Sequence, residues 1–305
     1  MIRPLDFLDL ATLHRYRGDV LCLDATRWVT RGNPLGAMGF MAYFNPARHL
    51  YSAVSSEAGT TLLGGVIHTQ GDPYAKLLYL APTGSFSEPG LPALIEALVT
   101  QAAQWGAFHV LAEVDENSPA FPALRQAGFS VYAWQRIWDL SEVIPGTSTA
   151  GWSKVQTINL PAIQSLHHQI VPPLLQPVEP APRHASGLVC PEGARCYVNV
   201  SSGLYGVMLT PLIHPEAEYV AQKIAGLLVQ FSRRTVRPIY LRVRSYQAWL
   251  EPVLEDLGAK ASPRQAVMVK HLVRAVREEQ SVTAVQSGTT VIPASRFSKF
   301  ERKKQ

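Results

Sequence analysis

Apolar residues recur along this chain at two spacings, and the order in which the spacings alternate repeats. Leu91, Leu94, Ile95, Leu98 and Ala102 fall three and four residues apart, as one face of a helix does; Leu250, Val253, Leu254 and Leu257 do the same. Leu50 to Ser55 and Thr61 to Thr69 alternate with period two around Glu57-Ala58-Gly59, which predicts a hairpin. Ile2-Arg3-Pro4 reads as a first strand, Leu5 to Tyr16 as a helix, and Asp19 to Pro46 as a Gly-rich stretch of loops with one more helix. Lys76 to Leu80, Phe108 to Val114 and Val131 to Leu140 follow as strands. After Pro145 to Gly151, whose composition is that of a linker, the pattern starts again. It predicts a strand at Lys154 to Thr157, a helix at Pro161 to Ile170 and an extended surface segment from Pro172 to Pro182. A hairpin, a strand at Tyr205 to Leu209, a helix at Pro215 to Arg233 and strands at Ile239 to Val243 and Ala266 to Val273 complete it.

Two pairs of landmarks fix the repeat. Leu80-Ala81-Pro82 closes one strand and Leu209-Thr210-Pro211 another, while Gly128 and Gly258 each stop a short helix. Members of each pair lie about 130 residues apart, an ordinary domain length. The expected organisation is a domain at 1–142, a linker at 143–152, a second domain at 153–275 and a flexible basic tail at 276–305.

The order of elements resembles the GNAT acyltransferase superfamily, twice over. In that family an I-R-P-like strand, helices, a hairpin and a V-x-P strand precede the turn and helix that hold coenzyme A. A further strand then leads to an N-x-x-A helix ending in G-F. Asn117, Ala120, Gly128 and Phe129 stand at that spacing, and Leu80-Ala81-Pro82 replaces V-x-P. The resemblance implies an α+β fold of two tandem GNAT-like domains, each a mixed, mostly antiparallel sheet flanked by helices. It implies acetyl-CoA or another acyl-CoA as cofactor, with Leu80, Gly84, Ser85, Ser87, Gly90 and Asn117 as the first domain's cofactor-binding residues. Backbone groups at Leu80 and Leu209 would hold the thioester oxygen, and the acceptor would be a small-molecule or peptide amine.

The chemistry departs from the family. Its diphosphate turn has the form [Q/R]-x-x-G-x-[G/A], because glycines let backbone N–H groups approach the phosphates at a helix N-terminus. Here Phe86 replaces the polar residue, Pro89 removes a donor, Leu91 replaces the second small residue, and Glu88 adds a negative charge. The second turn, Leu212 to Glu218, has no glycine and carries Glu216 and Glu218. The family's general-acid Tyr is Leu124 in the first half and Leu254 in the second, both expected in the core. Glu113 is a candidate base or an ion-paired carboxylate, so the catalytic residues stay open. Two functions compete: acyl-CoA-dependent N-acyl transfer, and a catalytically inactive tandem module that binds a ligand or protein.

Composition narrows the partners. Of 305 residues 47% are hydrophobic and 17% charged, enough apolar material for two cores. The net charge of +5 sits partly in RFSKFERKKQ and partly on Arg233, Arg234, Arg237, Arg242 and Arg244, which read as solvated charge. No aromatic-interleaved basic motif points to nucleic acid, and no apolar run is long enough for a membrane span. Asp6 and Asp9 stand where a signal peptide would be basic and then apolar, so a cytoplasmic location is expected. Cys22, Cys190 and Cys196 have no metal spacing, His167-His168 lacks a third ligand, and neither suggests a metal site.

Overall fold

The computed structural model describes residues 2–6, 9–36, 48–57, 60–146, 151–190, 195–232 and 237–272. The tip of the Glu57-Ala58-Gly59 turn, the Pro191-Glu192-Gly193 turn, the middle of the 143–152 linker, Arg233, Arg234 and the 276–305 tail lie outside them. Among the described residues the strands are β1 Ile2–Pro4, β2 Leu21–Cys22, β3 Arg48–Glu57, β4 Thr60–Thr69, β5 Tyr74–Ala81, β6 His109–Asp115 and β7 Ser130–Asp139. Then come β8 Ser153–Lys154, β9 Leu188–Cys190, β10 Cys196–Ser202, β11 Val207–Ile213, β12 Ile239–Arg244, β13 Lys260–Ala261 and β14 Gln265–His271. The helices are α1 Leu10–Tyr16, α2 Ala25–Arg31, α3 Gly90–Gln104, α4 Ala120–Gln126, α5 Leu160–Ile170, α6 Val220–Ser232 and α7 Leu250–Asp256.

All strands join one sheet, in the order β1-β3-β4-β5-β6-β14-β7-β12-β11-β10-β9-β8, with β2 pairing β5 and β13 pairing β7. Among the described residues only β5/β6 and β11/β12 pair in parallel, so the sheet is mostly antiparallel. The order reads as two copies of one motif, a hairpin followed by a parallel strand, meeting at β14 and β7. The last strand of each half has crossed over. β14, expected to finish the second half, lies between β6 and β7, and β7 lies against β12. Ala266, Val267, Met268 and Val269 are all buried, the unbroken apolar run of a strand covered on both faces. Gln135 of β7 donates to Gln265 of β14 at 2.8 Å and ties the exchanged strands together.

Helices cover both faces. Leu91, Leu94, Ile95 and Leu98 of α3 and Leu124 of α4 join one core with Leu77, Leu80 and Val114. Ile224, Leu227 and Leu228 of α6 join another with Leu209, Leu241 and Leu254. Leu124 and Leu254 are fully buried, each on a short helix followed by a glycine with positive φ, 86° at Gly128 and 81° at Gly258. On the opposite face α1 packs Leu13 on β3 to β5, and α5 packs Ile163 and Leu166 on β9 to β11.

Several expected elements shift. Helix α1 starts at Leu10, because Leu5 donates its N–H to Ser52 and extends the strand contact instead. Strand β11 runs through Pro211 to Ile213. Helix α6 starts at Val220, after a turn in which Tyr219 takes φ 54°. Residues 172–182 are not an extended surface segment: they form turns, bury Val178, and carry Glu179 inward. None of the described helices is long and apolar enough to cross a membrane.

Candidate functional site

Strands β5 and β6 are paired in parallel only at Tyr74–Lys76 and His109–Leu111, and then part. In the resembled fold such a splay receives the cofactor arm. Here the chain fills it with its own residues. Leu21 and Cys22 pair antiparallel with Leu80 and Tyr79, while the other edge of β5 pairs with β4. Leu23 then donates its N–H to Leu78 O at 2.8 Å and accepts from the Glu113 N–H at 2.8 Å, so it bridges the two strands. Asp24 ends the insert by accepting from the Arg27 N–H and capping α2.

The turn after β5 is closed internally too. The Ser85 N–H donates to Pro82 O, the Glu88 N–H to Ser85 O, and the Leu91 N–H to Glu88 O. The Thr83 N–H and hydroxyl both donate to Asp19. Phe86, where the family has a polar residue, is turned into the core. Gly84 is exposed with ordinary φ and open space around its Cβ position, so nothing there requires glycine. The structure gathers Leu80, Gly84, Ser85, Ser87 and Gly90 on one continuous stretch from β5 into α3. Asn117 is exposed just beyond β6, with its N–H bonded to Asp115 Oδ1 at 2.8 Å.

In the second half β11 and β12 are parallel at Val207–Leu209 and Ile239–Leu241 and then part. The buried side chain of Gln247 fills this splay. Its Oε1 accepts from the Ile213 N–H at 3.0 Å and its Nε2 donates to Pro211 O at 2.9 Å, the pattern an amide-bearing guest would make along a strand. Leu209 is paired on both sides, with Val200 and Leu241. The following turn is held by the Ala217 N–H to His214 O and by Arg195 to Glu216 O. Among the described residues, Leu21–Leu23 occupy the β5–β6 splay and Gln247 the β11–β12 splay, so as folded neither splay fits the arm of coenzyme A.

A connected network of charged and polar side chains lies elsewhere. A cavity of about 260 Å³ opens on one sheet face, floored by strands from β5 to β10 and covered by residues 171–182. Arg242 and Arg244, expected as solvated charge, are both buried here, since alternate positions on β12 face the same side. Arg244 pairs with Glu179 at 2.9 Å and with Glu113 at 3.9 Å, and donates to Gln135 at 2.6 Å. Arg242 donates to Thr26 Oγ1 at 2.6 Å and pairs with Glu113 at 3.4 Å. Lys76 pairs with Asp24 at 3.3 Å. The Tyr246 and Tyr132 hydroxyls donate to Glu179 at 2.5 and 3.2 Å.

This network fixes protonation states. Burial pushes the Glu113 carboxyl up, but Arg242, Arg244, Lys76 and the Ala25 N–H outweigh it and hold it at about 2. Glu113 is therefore the ion-paired carboxylate of the two alternatives, and a poor base at neutral pH. Burial, then Glu179, raises the Tyr246 phenol, which stays a donor. His167 is neutral, depressed chiefly by burial; its Nε2 lies 2.8 Å from Glu179 O and so carries the proton. Among the described residues that line the cavity, Arg242 Nε, a donor, and His167 Nδ1, an acceptor, are enclosed without a hydrogen-bond partner.

No family model matches the sequence, and no curated protein sequence matches it either. Solved structures do resemble it. A GCN5-related N-acetyltransferase from Sphaerobacter thermophilus superposes with TM-score 0.53 at 13% identity over 89% of this chain and 95% of that one. The fold is a tandem GNAT fold. A tandem GNAT protein from the clavulanic acid biosynthesis pathway gives TM-score 0.50 at 16% identity over 89% of this chain and 98% of its own. Against that tandem GNAT frame, sequence reasoning gave no site role to Leu21–Asp24, Lys76, Glu179, Tyr246 and Gln247, and read Arg242 and Arg244 as solvated charge. The apolar Leu21-Cys22-Leu23 run closed by Asp24, and the alternation Leu241-Arg242-Val243-Arg244, are the signals that mark a strand with a helix cap and a one-faced basic strand.

Proposed function

We propose that this protein is a non-catalytic tandem GNAT-fold module that binds a small polar ligand in the central cavity. The observation that carries this reading is the seating of Leu21–Leu23 between β5 and β6, where a cofactor arm would have to lie. Gln247 does the equivalent in the second half. The cavity supports the binding part. It is lined by polar and aromatic side chains, among them Tyr74, Tyr132, Asn199 and Tyr246.

Acyl transfer from acetyl-CoA or another acyl-CoA to an amine is the second reading, favoured by the extent of the structural likeness to a protein named as an N-acetyltransferase. It requires Leu21–Asp24 to leave β5, with Leu80, Gly84, Ser85, Ser87, Gly90 and Asn117 then facing the cofactor. An assay of thiol release from acetyl-CoA, with a panel of small amines and lysine peptides, separates the two. Release no faster than without protein supports the module; protein-dependent release with any amine contradicts it.

A further inference from the structure

A second recess, of about 340 Å³, opens beside the central cavity and shares Thr26, Tyr74, Lys76 and Ser201 with it. Its wall carries Arg27 and Arg31, four residues apart on α2 and so on one helical face. Arg48, the first residue of β3, adds a third guanidinium and stands in register with Thr69.

The three guanidiniums have no ion-pair partner among the described residues. Asp24 is taken, by Lys76 Nζ at 3.3 Å and by the Arg27 N–H at 3.3 Å. Residues 37–47, which lead into Arg48, contain no Asp or Glu. Arg27, Arg31, Arg48 and Lys76 against Asp24 and Asp72 leave the recess with two positive charges in excess. Burial, and then the neighbouring guanidiniums, depresses Arg27 and Arg31 against the pull of Asp24. Like charges held together in a half-buried recess cost stability unless something negative joins them. Arg31, in the last turn of α2, also complements the helix dipole, but that accounts for one cation and not three. The hydroxyls of Thr69, Ser201 and Ser202 line the same recess.

We propose that this recess binds the phosphate monoester head group of a small molecule whose body extends into the central cavity. A monoester carries close to two negative charges at neutral pH, which matches the excess, and guanidiniums pair bidentately with its oxygens. The ligand's body rests on the ligand-binding reading above; the head-group site does not.

Titration calorimetry in chloride buffer at fixed ionic strength tests it, with inorganic phosphate, glycerol 3-phosphate and glycerol as probes. Phosphate and the phosphoester should bind and glycerol should not. Arg31→Gln and Arg48→Gln should each weaken phosphate at least about tenfold, the effect of losing a charge-assisted contact. In phosphate-free buffer both variants should melt at or above the wild-type temperature, because a repelling charge has gone. No binding of phosphate, or equal binding by wild type and both variants, overturns the proposal. So does a lower melting temperature for both variants without phosphate, which would mark the arginines as structural. Acetyl-CoA titrated in parallel keeps the two claims apart. Binding that both variants retain would end the non-catalytic reading and leave this site standing, whereas loss of phosphate binding alone ends only this site.

Discussion

Leu21 lies in antiparallel register with Leu80, on the edge of β5 that faces the β5–β6 splay. That pairing turns the backbone of Leu80 from a surface for a guest into an interior strand position, and Leu80 itself is fully buried. The same closure in the second half is made by a side chain, and it is the easier of the two to remove.

Gln247→Ala should destabilise the protein by about 2 kcal/mol or more. It strands the Ile213 N–H and Pro211 O in a buried place, and each unsatisfied group costs about 1–3 kcal/mol. Urea denaturation measures the loss. A change below about 0.5 kcal/mol, the surface range, would mean that water reaches this splay and that Gln247 does not seal it.

Glu113→Gln should cost about 3–5 kcal/mol at neutral pH, since it leaves Arg242 and Arg244 buried without their shared carboxylate. The sign of the pH dependence follows from the lowered carboxyl. Its ordinary value is 4.5 and its folded value about 2, so its contribution is complete above pH 4.5 and is lost as pH falls toward 2. Denaturation midpoints across that window should fall more steeply for the wild type than for Glu113→Gln. Parallel slopes would show that Glu113 is not paired as described.

The topology predicts that the halves cannot be separated. A fragment of residues 1–146 keeps β6 and β7 but lacks β14, which pairs with both. Unpaired strand edges promote association. Size-exclusion chromatography of this fragment should show aggregate or unfolded chain, and a folded monomer would contradict the strand exchange.

Much of this fold is visible in the sequence, because the periodicities of α3, α6, β4 and β6 are strong and local, and because Gly128 and Gly258 mark their helix ends chemically. The exchange of β7 and β14 is not visible, since a strand's period tells which face is buried and not which neighbour it pairs with. The cavity was hidden for a related reason. Arg242, Arg244, Glu113 and Glu179 come from segments far apart in the chain, and nothing local distinguishes a buried guanidinium from a solvated one. The departures at Phe86, Glu88 and Pro89 were legible, whereas Leu21–Leu23, which closes the splay beside them, lay in a stretch read as loops and a helix.

The most direct test of the central claim is hydrogen–deuterium exchange at the Leu23 and Glu113 amides, with and without acetyl-CoA. Both amides are donors in the bridge across the splay, to Leu78 O and to Leu23 O. They should be protected in the free protein to the level of the β3–β4 hairpin, and acetyl-CoA should leave them unchanged. Rapid exchange in the free protein that slows when acetyl-CoA is added would show an open splay that receives the cofactor, and would contradict the account.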